Sequence, residues 1–401
     1  MNNYFGCHNH TIYSNIRLLD SINTVKSLID TAIKLGLSGI AITDHECLSA
    51  HIEAEKYMKN VKKEYPDFKL ALGNEIYLVD ERAPRQKYYH FILIAKDAIG
   101  HRALRELSSK AWLNSFKDRK QERVPTTKDE LTEIVNKFKG HLIATTACIG
   151  GELPQNILLY LTARKINDME NAVIYYNKIL SFLDYCIGLF GDDFYIECAP
   201  GTSEEQVQVN QTCRKISEFK NIKMVVATDA HYPTKNDRQI HKAYLNSKEG
   251  DREVDSFYEF TYLMDYDEVF DLLNNSFDSD FIIQVLNNTL EIENKIEEYS
   301  LFHKQNIPPV EVKDYPKKYW ITVNDKGEDN PKYPHLSQML HDDDIQNRYW
   351  VNQCIDKLYE LGILDGNKAE EYLTELEEEA RVKSIIGEKL ETNMFRYPNT
   401  L

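Results

Sequence analysis

No stretch of this 401-residue chain is apolar for long enough, about 18 residues, to cross a bilayer as a helix. The opening MNNYFGCHNH has no basic segment followed by an apolar core, so no secretory signal is expected. Cysteine is sparse and odd in number. Cys7, Cys47, Cys148, Cys186, Cys198, Cys213 and Cys354 are scattered, and no two form a C-x-x-C pair. That pattern excludes a disulfide framework and fits reduced thiols in the cytoplasm. Internal repeats and low-complexity tracts are lacking too. An overall basic charge is missing: the net charge is −16, which argues against a general nucleic-acid binder.

What charge there is lies unevenly. Residues 241–401 carry 34 acidic and 17 basic residues, whereas residues 1–240 are close to neutral at +1. The N-terminal part can therefore approach a polyanion locally. Hydrophobic residues make up 42% of the chain, an ordinary globular share.

Seven apolar, β-rich segments stand out at 4–8, 39–44, 69–79, 89–96, 141–147, 194–199 and 223–230. Most are continuously apolar, as expected of strands buried on both faces. Helical periodicity falls between them. Val25, Leu28, Ile29, Ala32 and Ile33 form one stripe, with Gly36 placed to end that helix. Thr127 and Glu130 read as a capping box ahead of Leu131, Ile134, Val135 and Phe138. Alternating strands and helices predict an α/β fold with right-handed crossovers, and seven strands favour a closed barrel over an open sheet. Beyond residue 240 the pattern becomes helix and loop. Prolines collect in 301–335, and 340–390 is helical and acidic.

Residues with ligand chemistry sit at or near the strand ends. They are His8 and His10, Asp20 in the next loop, Asp44 and His45, Glu75, His90, Cys148, and Asp229 and His231. In α/β barrels the C-terminal strand ends form the active face. Glu75 and His90, inside and at the start of their strands, obey that rule less cleanly. Leaving Asp44 aside, nine nitrogen, oxygen and sulfur donors exceed the needs of one ion and suit two or three. Their mixture favours zinc, manganese or iron over magnesium or calcium.

Taken in order, H-x-H-T-x-Y-S, A-I-T-D-H, G-x-E-x-Y, Y-H-x-x-x-x-A-K, A-C-x-x-G-E-x-P and A-T-D-A-H-Y resemble the PHP (polymerase and histidinol phosphatase) domain at the start of bacterial-type DNA polymerase III alpha subunits. The resemblance covers about residues 3–300. It implies a distorted (β/α)7 barrel holding three metal ions, with a mainly helical C-terminal extension. By position the ligands would be His8, His10, Asp20, His45, Glu75, His90, Cys148, Asp229 and His231. Glu75, Asp229 and His10 would stand closest to the chemistry, with Glu75 bridging two ions. The segment from His10 to Asp20 is about three residues longer than the common family form, and Ser21 stands where glycine is usual. Asp44 is thus the rival of Asp20, its other expected role being to orient a ligand histidine through a hydrogen bond.

The resemblance implies a barrel domain over 1–300, a linker over 301–335 and a helical segment over 336–401 leading towards a polymerase palm that this chain lacks. The implied activity is metal-dependent phosphodiester hydrolysis, a 3′→5′ proofreading exonuclease in DNA replication. The implied partners are a DNA 3′ end, the remaining polymerase domains and other replisome subunits, with no membrane. Two other readings are a non-hydrolytic metal-binding platform and a small-molecule phosphatase. Asp278 and Asp280 resemble a polymerase carboxylate pair but precede a helix, so a structural role is expected. His51, His101, His141, His241, His303, His335 and His341 fit no motif and are assigned to surface or packing, as Cys7 and Cys47 are to packing. Arg82, Arg85 and Lys87 could meet phosphates or form a solvated loop.

Overall fold

The computed structural model describes residues 3–16, 19–119, 121–247, 258–304, 306–312 and 330–398. They form two compact units, 1–301 and 302–401.

In the first unit seven strands lie in sequence order: β1 (Phe5–Gly6), β2 (Gly39–Ile42), β3 (Lys69–Val79), β4 (Tyr89–Ala95), β5 (Leu142–Thr145), β6 (Phe194–Cys198) and β7 (Met224–Val226). The His10 amide donates to the Ala230 carbonyl at 2.9 Å, and Asn9 pairs with Ala230. These contacts bring the chain beyond β1 against the chain beyond β7 and nearly close the barrel. Helices cover the outside, among them α1 (Val25–Lys34), α2 (His51–Val61), α3 (Ala98–Leu113), α4 (Lys128–Lys137), α5 (Glu152–Lys165), α6 (Met169–Phe190) and α7 (Glu204–Lys220). The Thr127–Glu130 capping box starts α4. One helix was not foreseen: the apolar residues of α5 are spread around it and leave no stripe to read.

The sheet differs from an all-parallel barrel at one place. β4 runs antiparallel to both β3 and β5. The reason is in the sequence: no helical segment lies between β3 and β4, and parallel neighbours need a crossover. This reversal puts the start of β4 on the same rim as the ends of the other strands. His90 therefore stands at the correct end after all.

Inside the barrel the inward residues are layered. Phe5, Cys7, Ala41, Ala71, Ile92, Ile94, Ile143, Tyr195 and Val225 form one buried apolar cluster, joined by Ile292 and Ile296. Following the two-residue period from Ala71, Ile92, Ile143 and Tyr195 towards the rim gives Glu75, His90, Thr145 and Glu197. The floor is apolar and the next layer is polar.

Two buried histidines behind this layer are structural. His51 Nε2 donates to the Gly73 carbonyl at 3.0 Å, so its Nδ1 accepts from His101 Nε2 at 3.0 Å. Both rings are neutral. Burial, then the neighbouring His101, lowers the pKa of His51 to about 3. Burial, then Arg105, lowers that of His101 to about 4.

The second unit contains three helices, Pro334–His341, Ile345–Glu360 and Ala369–Leu390, around Leu336, Leu340, Trp350, Val351, Ile355, Leu376 and Phe395. Residues 313–329 of the expected linker lie outside the described residues. No described helix is long and apolar enough to cross a membrane.

A pH test follows from the histidine pair. Both native pKa values lie below the ordinary value of about 6.5, so the unfolded chain takes up protons that the folded chain refuses. Their contribution to stability is complete above that value and is lost as pH falls towards 3 to 4. His51→Gln keeps a donor to Gly73 but does not titrate. In urea unfolding its stability deficit should be largest near about pH 8 and shrink near about pH 5. Equal deficits at both would contradict the neutral pair.

Candidate metal centre

All nine residues singled out in the sequence meet at one rim. Glu75 is the hub. Its Oε1 lies 3.6 Å from His8 Nε2 and 2.8 Å from His90 Nδ1. Its Oε2 lies 3.2 Å from His10 Nε2 and 2.7 Å from His45 Nδ1. Asp229 Oδ1 is 3.2 Å from His8 Nε2 and 3.1 Å from His10 Nε2. Asp20 Oδ2 sits 3.1 Å from His45 Nε2 and 3.0 Å from His231 Nε2. Cys148 Sγ is 3.5 Å from His90 Nδ1. The level of each side chain follows from local pairing: His45 bridges to Glu75 and His90 to Gly151.

Several rings are aimed from behind. The His231 Nδ1–H donates to the Asp229 carbonyl at 2.7 Å, which leaves Nε2 as the free lone pair facing Asp20. His8 Nδ1–H donates to Glu197 Oε2 at 3.1 Å, and Thr145 Oγ1 donates to the other Glu197 oxygen. Ser14 Oγ donates to Asp44 Oδ1 at 2.8 Å, so it accepts from His10 Nδ1 at 2.9 Å. Asp44 also accepts from the Thr11 amide and hydroxyl at 2.6 and 2.8 Å. Asp44 therefore faces away from the cluster and acts on His10 through Ser14, while Asp20 occupies the cluster. The Tyr258 hydroxyl donates to Asp20 Oδ1 at 2.9 Å, and His241 Nε2–H donates to the Asp20 carbonyl at 2.6 Å. Ser21 Oγ lies 3.0 and 2.9 Å from the His10 and His231 carbonyls. That serine ties the longer loop to both histidine segments.

With their Nδ1 protons committed elsewhere, His8 and His10 present two Nε2 lone pairs 3.0 Å apart. Such an approach is repulsive unless a cation or proton lies between them. Asp20 Oδ2, His45 Nδ1, both Glu75 oxygens and Asp229 Oδ1 are buried without a hydrogen-bond partner among the described residues. Ligand atoms about 2.0–2.2 Å from a shared ion stand roughly 3 to 3.6 Å from one another. Three groups place one such atom from each residue within 4.8 Å of the others, close to that spacing: His10–Asp20–His45–His231, His8–His10–Glu75 and His45–Glu75–His90. The donors thus fit divalent cations on geometry, on unmet bonding capacity and on charge.

The electrostatics agree. Burial pulls His8 down, yet Asp229, Glu197 and Glu75 hold it well above its ordinary pKa. Burial opposes ionisation of Asp20, but His231 and His45 hold it well below the carboxylate range. Burial likewise opposes Glu75, which His90, His45 and His8 hold far down. Burial, then Asp229 and Glu75, push the Cys148 thiol well up. A bound cation would reverse that last effect by favouring the thiolate. Glu46, Ala147 and Asp229 adopt positive φ (53°, 58° and 49°) beside His45, Cys148 and His231. This is strain of the kind found where a site fixes the backbone.

Other expectations resolve simply. Asp278 caps the helix Ser279–Asn294 by accepting from the Phe281 amide at 3.1 Å and pairs with Arg214 at 2.5 Å, a structural role. Cys7 and Cys47 are buried free thiols. Glu197 and Ser14 carry no role in the sequence reading, and His241, assigned there to surface or packing, is buried. Glu197 had a signal, a lone carboxylate inside the apolar FYIECA with the inward register of Tyr195.

Ser14→Ala should leave His10 Nδ1 without its acceptor. It should weaken divalent-cation affinity by roughly 10- to 100-fold, read by competition with a chromophoric chelator. Unchanged affinity would show that the Asp44–Ser14–His10 chain does not aim the ring.

Residues 6–200 match the family described as the PHP domain. A DNA-directed DNA polymerase of Bacillus phage SPbeta is 40% identical over 382 residues, 92% of this chain and 28% of that protein. A DNA polymerase III subunit alpha of Borreliella burgdorferi is 28% identical over 311 residues, 74% of this chain and 24% of that one. The chain thus spans about a quarter of the length of these relatives. A solved structure described as a metal-dependent phosphoesterase of Bifidobacterium adolescentis superposes with a TM-score of 0.34 at 18% identity, covering 69% of this chain and 98% of that one. At that level it adds nothing to the fold. Residues 6–200 thus carry a PHP domain, and along most of its length the chain is similar to part of proteins named DNA-directed DNA polymerase and DNA polymerase III subunit alpha.

Proposed function

We propose that this chain is the hydrolytic PHP region of a polymerase III alpha-type replicase and removes nucleotides from DNA 3′ ends as a proofreading exonuclease. The observation that carries the reading is the donor set: nine side chains from six strands and one loop converge at one rim, and Asp20, His45, Glu75 and Asp229 among them keep buried atoms without a hydrogen-bond partner among the described residues. His8, His10, Asp20, His45, Glu75, His90, Cys148, Asp229 and His231 would hold two or three ions of zinc, manganese or iron. Bound there, the ions would supply positive charge to a phosphate and ease deprotonation of a water.

The protein's own part is positioning. Glu75, with one oxygen towards His8 and His90 and the other towards His10 and His45, would join neighbouring ions. Glu197 and Ser14 hold the His8 and His10 rings with their Nε2 atoms inward. The His90 and His45 side chains, 21% and 10% exposed, mark the open side. Residues 336–401 would lead on to the polymerase palm. The DNA 3′ end, the other polymerase domains and replisome subunits would be its cytoplasmic partners.

Purified protein given Mn²⁺ or Zn²⁺ should shorten a 3′-labelled primer and leave p-nitrophenyl phosphate nearly untouched. Asp229→Asn should reduce shortening to background. Metal retention without shortening would mean a structural platform. Faster turnover of p-nitrophenyl phosphate than of primer would mean a small-molecule phosphatase. Shortening that survives Asp229→Asn would come from a contaminant.

A further inference from the structure

Deepening that reading and resting on it, we infer that a strip of aromatic and cationic side chains on the β4 side of the cluster receives a single-stranded DNA 3′ end. The strip starts at the ligand-type residues. The Tyr77 ring lies 4.9 Å from that of His90 and 5.5 Å from that of His45, measured between centroids. Tyr88 follows at 6.4 Å from Tyr77. The Arg123 guanidinium covers the Tyr88 ring at 5.0 Å. Tyr77, Tyr88 and Arg123 are all partly exposed. A continuous line therefore runs from the donor atoms to the surface.

The outer end of that line is a cationic loop and hairpin. The β3–β4 loop meets the hairpin of Phe116–Asp118 and Gln121–Arg123 where the Arg85 amide donates to Asp118 Oδ2 at 3.0 Å. The described residues of 80–89, 116–119 and 121–123 contain six basic and four acidic residues, in a chain whose overall charge is strongly negative. Arg82 is committed, donating to Glu130 at 2.6 Å and to the Pro125 carbonyl at 3.0 Å. It ties the loop to α4 and leaves no guanidinium for phosphate. The side chains of Arg85, Lys117 and Arg119 are exposed and make no ion pair among the described residues. Arg85 and Arg119 also take positive φ, 61° and 57°, a conformation that non-glycine residues adopt at a cost.

Partly exposed rings beside exposed, unpaired cations suit a single strand. Unstacked bases offer faces to the rings while their phosphates meet the cations, and a duplex hides those faces. Asp80, Glu81 and Glu122 border the same surface, so local cations rather than a broad field would have to do the binding. A mispaired 3′ terminus is already frayed and would enter such a path most readily.

The test measures binding apart from cleavage. Metal-loaded protein is titrated against fluorescein-labelled oligo-dT of about a dozen nucleotides with phosphorothioate linkages, by anisotropy at several salt concentrations. The Arg85→Gln/Arg119→Gln double variant should bind about tenfold more weakly, with a salt slope shallower by about 1.4. Tyr88→Ala should also weaken binding about tenfold but keep the slope, and Tyr88→Trp should restore it. A blunt duplex of equal length should bind more weakly than the single strand and ignore Tyr88→Ala. Metal content and near-ultraviolet circular dichroism should match wild type throughout. Wild-type affinity and slope in these variants, or equal losses on the duplex, would overturn the inference. Tyr88- and arginine-dependent binding without primer shortening would leave the path standing and remove the hydrolytic reading.

Discussion

The structure turns on four carboxylates held almost wholly out of water. Asp20, Glu75, Glu197 and Asp229 crowd the upper layer of the barrel, each less than a tenth exposed. Stripping such ions of water costs several kcal/mol each unless opposite charge is supplied. Among the described residues the groups that pair with them are histidines, and the rings of His8, His10 and His231 are already committed on their Nδ1 side to Glu197, Ser14 and the Asp229 carbonyl. The inward lone pairs and carboxylate oxygens together make a negative cavity that divalent cations fit. Histidine protonation is the weaker substitute, and the raised pKa values of His8 and His45 show the demand.

The barrel is built to hold that layer at fixed height. Its floor of Phe5, Ile92, Ile94, Ile143 and Tyr195 is dry and packed, so the chain above it cannot sink. Gly151 sits where an added Cβ would fall 2.1 Å from the Thr146 carbonyl, which fixes the turn carrying Cys148. Reversal of β4 delivers His90 without a crossover helix, and the loop that replaces the helix joins the cationic hairpin. One topological departure thus supplies both a ligand-type residue and a surface beside it.

Much of this was legible. Strand positions could be read because buried strands are apolar throughout, and α1 and α4 because a stripe and a capping box mark them. The cluster residues were legible because histidine, cysteine and carboxylates are costly at strand ends and recur there in order. Asp20 was less so, since its longer loop left Asp44 as a rival. Only the hydrogen bonds of Thr11 and Ser14 to Asp44 separate the two. The direction of β4 was written in the missing helix before it. Glu197 needed the inward register, and the roles of Ser14 and His241 needed coordinates, because contacts between distant residues leave no local pattern. Arg82 shows the opposite failure: a basic loop residue suited to phosphate is taken up by Glu130.

Anomalous diffraction from crystals soaked in Mn²⁺ or Zn²⁺ tests the central claim most directly. The account predicts peaks bounded by His10, Asp20, His45 and His231, by His8, His10 and Glu75, and by His45, Glu75 and His90. A map with no peak at this rim, or with ions held elsewhere on the chain, would contradict it.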